Sequence, residues 1–343
     1  MRRFFVLIAL MLCTGIAHAQ EELTPYEIAQ ERIAEAAESG ATELNLVDLG
    51  LTELPPEIGN LTNLTELWLP ANPLTSLPPE IGNLTSLAEL WLLNNNLTSL
   101  PPEIGNLTNL TRLYLSANQL TNLPPEIGNL TNLTGLTLDR NNITSLPSEM
   151  GNLTNLTLLS LSHNSLTTLP PEIGDLTNLT RLSLDHNDIT RLPSEMGNLA
   201  NLALLNLWGN ALTNLPPEIG NLTSLTELYL NGNDLTGVSS EIGNLTNLQI
   251  LSLYNNALTS LPPEIGNLTN LIHLELRGND LTSIPSAIGE LENLQTLYLD
   301  DILWQQIPDD VEAQGTQAVV AYIRNQAQWH FRRMLGSVGL MVA

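Results

Sequence analysis

The chain contains 343 residues, among them 36 acids, 11 arginines and no lysine, and its formal net charge is −25. A surface this acidic repels phosphate groups, which argues against binding to nucleic acid or to anionic membranes. With a single cysteine, the chain can form no internal disulfide bond.

The N-terminus predicts a secretory signal peptide over residues 1–19. Arg2 and Arg3 precede an apolar run from Phe4 to Cys13, and the small residues Ala17 and Ala19 flank a cleavage site. The run is too short to cross a bilayer, which takes about 20 apolar residues, and we expect no integral span elsewhere. Cleavage would leave 9 arginines against 36 acids, a net charge of −27, and no cysteine. We therefore expect a secreted or periplasmic protein, and the lack of cysteine-rich caps favours a bacterial one.

A capping helix is predicted within residues 20–40. Thr24-Pro25-Tyr26-Glu27 has the form of a capping box with proline at the first helical position. Ile28 and Ile33 belong to an apolar face, and Gly40 ends the helix. The first strand is expected to follow at once, from Glu43 to Val47.

A period of 23 residues fills most of the chain. A glycine recurs at this interval from Gly59 to Gly289, and an asparagine recurs from Asn72 to Asn279. Four leucine columns run through the same eleven repeats and begin at Leu61, Leu64, Leu67 and Leu69. One such unit cannot bury its own leucines, so the units must stack around a shared core.

Each unit predicts a short strand followed by a tight return. The alternation around Leu67 and Leu69 is that of a strand, and the amide of Asn72 can satisfy backbone groups where the chain turns. The Pro78-Pro79 pair excludes a long helix, so residues 81–84 can form at most about one turn of 3₁₀ or helix.

This unit resembles the leucine-rich repeat, and its Leu-Pro-x-x-Ile-Gly-Asn-Leu segment is similar to the Ras-suppressor and SHOC-like class and to plant disease-resistance and receptor repeats. The resemblance covers residues 41–308 and implies an α/β solenoid, a horseshoe with a concave parallel β-sheet of twelve strands and short 3₁₀ or helical turns on the convex side. Helical caps are expected at both ends, with the C-terminal cap and tail in residues 309–343 and a helix from Thr316 to Gln328. At the last repeat Ile302 and Trp304 replace the usual Asn and Leu.

The cap sequences are similar to those of bacterial Roco proteins. The likeness lies in residues 41–44, 315–319 and 322–324. In those proteins a phosphate-binding loop follows, but this chain has no G-x-x-x-x-G-K-[ST] motif. No nucleotide site is therefore implied, and we interpret the last ten residues as an apolar tail.

The outward-facing strand positions hold seven of the 11 Trp and Tyr residues, and the other four lie in the caps. Aromatic side chains on a solvent-facing sheet are typical of protein-binding hot spots, whereas Val or Thr would serve a sheet that needed only stability. The predicted anchors form a first group of Trp68, Trp91 and Tyr114, with Glu66, Glu89 and Arg112 beside them. A second predicted group consists of Trp208, Tyr229, Tyr254 and Tyr298.

A polar stretch separates the two groups. His163 and His186 lie one repeat apart, with Asp139 and Asp185 beside them, so a surface metal site is one interpretation. Ser162, His163 and Asp185 could also be read as a hydrolytic triad. We favour a solvated polar surface, with no metal, no cofactor and no catalysis, because neither a tight ligand spacing nor an oxyanion hole is evident.

These features predict a secreted, non-catalytic module that binds a protein or peptide on its concave face. Its negative field favours a basic partner. Two alternatives remain: the aromatic faces could stack on sugar rings, or the molecule could be a structural or adhesive spacer without a specific ligand.

Overall fold

The computed structural model describes residues 22–326. The predicted signal peptide and the apolar tail lie outside these residues. Among the described residues, no helix combines the length and the apolar character needed to cross a membrane.

Twelve three-residue strands form one parallel sheet in chain order. Each strand pairs with the next at an offset of 23 residues, so that Leu44 pairs with Leu67 and Leu67 with Leu90. The expected strand number is confirmed, but β1 ends at Asn45 and does not reach Val47. The strands are β1 Glu43–Asn45, β2 Glu66–Trp68, β3 Glu89–Trp91, β4 Arg112–Tyr114, β5 Gly135–Thr137, β6 Leu158–Ser160, β7 Arg181–Ser183, β8 Leu204–Asn206, β9 Glu227–Tyr229, β10 Ile250–Ser252, β11 His273–Glu275 and β12 Thr296–Tyr298.

The return paths are five-residue 3₁₀ helices. Most begin at the second residue of a proline pair, because the first proline is extended and the second already has a helical φ. The 3₁₀ helices are Pro56–Asn60, Pro79–Asn83, Pro102–Asn106, Pro125–Asn129, Ser148–Asn152, Pro171–Asp175, Ser194–Asn198, Pro217–Asn221, Ser240–Asn244, Pro263–Asn267 and Ser286–Glu290.

One continuous core runs between the sheet and the 3₁₀ helices. The leucine columns that begin at Leu64, Leu67 and Leu69 are almost entirely buried along the repeats, as is the isoleucine or methionine of each 3₁₀ helix. Each repeat therefore gains its core from its neighbours, and the fold is the predicted horseshoe.

A ladder of asparagine side chains joins consecutive repeats. The Oδ1 atom of Asn72 accepts hydrogen bonds from the amides of Leu49 and Leu51 in the preceding repeat, at 3.1 and 3.0 Å. Its Nδ2 atom donates to the carbonyl groups of Leu46 and Leu69 at 2.8 and 2.9 Å. The same pattern recurs along the column, so each amide satisfies buried backbone groups that the short strands leave unpaired.

The N-terminal cap is helix α1, Pro25–Ser39. The capping box is present: Thr24 Oγ1 accepts from the Glu27 amide, and the Glu27 carboxylate accepts from the Thr24 amide. Gly40 ends the helix in the left-handed conformation, with φ of 64°.

The C-terminal cap departs from the expected repeat. The residues that align with the turn after a strand form helix α2, Asp301–Trp304, and helix α3, Asp309–Glu312, follows. In most repeats the residue at the position of Ile302 is a buried Asn. In helix α2 the side chains follow a helical period, so Ile302 is exposed and Leu303 is buried. Residues 316–326 are helical, as predicted from Thr316, and Gln328 lies outside the described part of the chain.

Candidate partner-binding surface

The sheet presents the two residues that flank each central leucine to the concave side. In β2 these are Glu66 and Trp68, which surround the fully buried Leu67. The parallel register places the corresponding residues of successive strands side by side, so Trp68 is the partner of Trp91 and Trp91 is the partner of Tyr114.

Two of the three rings in the first aromatic patch, which consists of Trp68, Trp91 and Tyr114, pack against each other. The rings of Trp91 and Tyr114 are stacked, with centroids 3.8 Å apart and an interplanar angle of 22°. All three side chains are half-buried and so keep one part of the ring open to solvent. The indole Nε1 atom of Trp91 is buried and has no hydrogen-bond partner among residues 22–326.

Charged residues form the row beside this patch. Glu43, Glu66 and Glu89 lie on adjacent strands, and Arg112 Nη1 lies 3.1 Å from Glu89 Oε1. Burial, together with the charges of Glu89 and Glu43, raises the pKa of Glu66 above its usual range. The structure thus brings together all six residues of the first predicted group.

The second predicted group is not one cluster. Trp208 packs against His186, with centroids 4.6 Å apart, while the hydroxyl of Tyr229 donates to the Glu227 carboxylate at 2.8 Å. Tyr254 and Tyr298 lie farther along the sheet. The group divides because its members occupy two different columns and sit in four separate repeats. Trp208, Tyr254 and Tyr298 are the most exposed, at 45%, 40% and 39%.

Sequence reasoning missed an arginine clamp at the C-terminal end of the sheet. Arg277 donates from Nε and Nη2 to the buried Glu275 carboxylate, at 2.8 and 2.7 Å. Its guanidinium carbon lies 4.5 Å from the centroid of the Tyr298 ring and 5.8 Å from that of Tyr254. The sequence could have indicated this clamp, because Arg277 lies in the same outward-facing column as Tyr254 and two residues after Glu275.

The polar stretch does not have the contacts of a hydrolytic triad. The hydroxyl of Ser162 donates directly to Asp185, whereas a triad requires it to donate to a histidine. His163 instead stacks on His186, with centroids 4.3 Å apart and an interplanar angle of 15°. One donor atom each of His163, Asp185 and His186 lie within 4.8 Å of one another.

Family profiles match most of this repeated region. The profile of the leucine-rich repeat region matches in four overlapping segments, and that of the single leucine-rich repeat matches residues 63–84. The four segments are 80–181, 125–207, 172–256 and 237–314. The chain belongs to the leucine-rich repeat family. No curated protein matches it.

Several solved structures are similar to this leucine-rich repeat protein. A TDR receptor is 32% identical, and the match covers 78% of this chain and 49% of the receptor chain, with a TM-score of 0.69. The plant peptide hormone receptor RGFR1, solved in complex with RGF2, is 36% identical. The match covers 76% of this chain and 48% of the receptor chain, with a TM-score of 0.61. The internalin inlF from Listeria monocytogenes is 25% identical. The match covers 80% of this chain and 90% of the internalin chain, with a TM-score of 0.65. The chain spans about half the length of the two receptor chains.

Proposed function

We propose that this leucine-rich repeat protein is an exported, non-catalytic interaction module that binds a protein or peptide segment on its concave face. The observation that carries the proposal is the Trp91–Tyr114 stack, half-exposed on the open face of the sheet. Rigid, preorganised aromatic surface of this kind lowers the entropy that is lost on binding. Most leucine-rich repeat proteins are interaction modules, and RGFR1 is a peptide hormone receptor solved with RGF2.

The charges beside the first aromatic patch favour a basic ligand. Glu43 and Glu66 stand next to one another on β1 and β2, and among the described residues neither forms an ion pair, whereas Glu89 is paired with Arg112. Burial and, to a lesser extent, repulsion from Glu89 and Glu43 disfavour the charged form of Glu66, and a ligand Arg or Lys would offset both by pairing with its carboxylate. The same cation has the Trp68 ring beside it, an aromatic face on which it can lie. Such a residue gains both a carboxylate and an aromatic face.

Selection from a displayed random-peptide library tests the proposal. We expect wild-type protein to enrich peptides rich in Arg or Lys, and the triple variant Trp68→Ala, Trp91→Ala, Tyr114→Ala to lose them. For a peptide so selected, Trp91→Ala alone should weaken binding by about 2 kcal/mol or more, as at a hot spot. Tyr26→Ala is the matched control, because it removes a half-buried aromatic ring from the N-terminal cap, outside both predicted groups.

Three outcomes would contradict the proposal. Equal enrichment by the triple variant would move the site away from the first aromatic patch. Specific glycan binding without peptide enrichment would favour the carbohydrate alternative. No ligand of either kind would favour a structural spacer.

Export has its own test. The pattern in residues 1–19 supports cleavage after Ala19. N-terminal sequencing of the protein from envelope and culture-medium fractions should therefore begin at Gln20. Full-length protein confined to the cytoplasm would overturn this part of the proposal.

A further inference from the structure

Three potential metal ligands meet at one edge of the concave sheet, apart from the first aromatic patch. They are His163, Asp185 and His186, and one donor atom from each lies within 4.8 Å of the others. His163 is exposed, and the other two side chains are half-buried, so a solvated ion can reach all three.

The repeat brings the two imidazoles together. His163 and His186 occupy the same position in consecutive repeats, where the backbone is left-handed with φ of 55° and 53°. The His163 amide donates to the Asp185 carbonyl at 2.8 Å, which fixes the spacing of the two turns. The rings are nearly parallel, with centroids 4.3 Å apart, and one nitrogen atom of each lies within 4.8 Å of the other.

The Asp185 carboxylate is already oriented by its neighbours. Ser162 Oγ and Asn206 Nδ2 both donate to its Oδ1 atom, at 2.5 and 2.9 Å. Among residues 22–326, Oδ2 accepts no hydrogen bond. Polar groups that hold a ligand through one atom and leave the other free are the usual second layer of a metal site.

The surroundings favour a cation, although one charge opposes it. The protein carries a net charge of −25, and the carboxylate of Asp139, one of the ligands considered from sequence, lies in the same column as Asp185. Arg140 occupies the position of His163 one repeat earlier, and its positive charge reduces the attraction of the site for a metal cation. On the other side the Trp208 ring packs on His186 and limits its rotation.

We propose that His163, His186 and Asp185 bind a divalent transition-metal ion, Zn²⁺ in the first instance. Two imidazoles and a carboxylate suit Zn²⁺, with metal–ligand bonds of about 2.0–2.2 Å. The donor atoms must move closer than 4.8 Å, which the exposed His163 side chain can achieve by rotation. Three protein ligands leave a fourth coordination position, open to water or to a side chain of another molecule. This site is independent of the proposed peptide binding.

Calorimetric titration of the metal-free full chain with Zn²⁺ tests the site. An excess of Mg²⁺ should be present, because this oxygen-preferring ion occupies the many surface carboxylates. We expect one equivalent of Zn²⁺ to bind, and His163→Gln, His186→Gln and Asp185→Asn each to weaken binding about tenfold or more. The Asp185→Asn variant keeps the acceptor for Ser162 and Asn206, so it removes charge with little change in packing.

His273→Gln is the matched control, since His273 packs against Tyr298 away from the cluster. It should bind Zn²⁺ as the wild type does. Replacement of Zn²⁺ by Co²⁺ should give the visible absorption bands of a four-coordinate ion, and these should vanish in His186→Gln. No binding in Mg²⁺, or binding that is unchanged in all three variants, would overturn the proposal. Circular dichroism of each variant separates lost binding from lost folding.

Discussion

The backbone of Gly82 passes so close to Glu103 that a β-carbon on Gly82 would lie 2.7 Å from the Glu103 carbonyl oxygen and 2.7 Å from its β-carbon. The clash is with backbone of the next 3₁₀ helix, which cannot turn aside as a side chain could. We therefore expect Gly82→Ala to lower the free energy of unfolding by at least about 2 kcal/mol, measured by urea denaturation.

Gly237→Ala provides the control for that experiment. Gly237 is exposed, and no atom lies within 4 Å of where its β-carbon would be. The substitution should leave stability unchanged or raise it by about 0.4–1 kcal/mol, through the lower entropy of the unfolded chain. Equal destabilisation at both positions would show that close approach of the 3₁₀ helices does not explain the glycine column.

Asn118→Ala should destabilise the repeat that precedes it. Its amide accepts from Leu97 N at 3.0 Å and donates to the carbonyls of Leu92 and Leu115 at 2.9 Å each. The Leu97 amide loses its acceptor, whereas the carbonyls of Leu92 and Leu115 keep a second bond from Asn95 and Asn141. We therefore expect a loss of about 2 kcal/mol and faster hydrogen exchange at the Leu97 amide. The exposed neighbour Asn96 is the comparison, and Asn96→Ala should cost no more than about 0.5 kcal/mol. Unchanged exchange at Leu97 would contradict the role of the ladder.

Stability should fall as the pH rises through the ionisation of Tyr229. Burial, reinforced by the hydrogen bond to the Glu227 carboxylate, raises the pKa of Tyr229 to about 12. The phenol ionises near pH 10 in the unfolded chain and near pH 12 in the folded one. The stability that the neutral Tyr229 gives the folded state is therefore complete below pH 10 and is lost between pH 10 and 12.

Ultraviolet absorbance during alkaline titration measures this ionisation. The difference between wild type and Tyr229→Phe isolates one of the six tyrosines. Glu227→Gln removes the carboxylate and should shift the pKa of Tyr229 downward. A transition near 10 in the wild-type difference curve would refute the assignment.

Removal of Arg277 should cost more stability than neutralisation of its partner. Arg277→Ala leaves the buried Glu275 carboxylate without its two charged hydrogen bonds, at an expected cost of about 1–2 kcal/mol, since the arginine itself is exposed. Glu275→Gln leaves an uncharged acceptor in place and should cost less. Arg191→Ala, an exposed arginine in another repeat, controls for the change in net charge. The reverse order of losses in urea denaturation would contradict the clamp.

Periodicity was sufficient to predict most of the fold, because each of the columns at Leu67, Leu69 and Asn72 meets the same neighbours in every repeat. A helical C-terminal cap was predicted, but the short helix α2 was not, since residues 301–304 keep the repeat spacing and only the loss of the Asn that holds the turn marks the change. The first aromatic patch followed from column positions alone. The separation of Trp208 from Tyr254 is also visible in the columns, because Asn231 stands between them. The contacts of Trp208 with His186 and of Arg277 with Tyr254 could not be predicted, because they depend on side-chain conformation.

The asparagine ladder gives the solenoid a direction. Asn72 satisfies groups that lie up to 26 residues earlier in the chain, and its own repeat is served in turn by Asn95. A repeat emerging from the ribosome is therefore incomplete until its successor has been synthesised. At the far end Ile302 stands where the next asparagine would be, and the Asp300 carboxylate accepts from the amides of Gly278 and Asn279. In the earlier repeat the equivalent amides of Asn255 and Asn256 donate to the backbone carbonyls of Arg277 and Gly278. In the final turn a side-chain carboxylate thus takes the place of the carbonyl groups that a following repeat would supply, and synthesis completes the repeats from the first to the last.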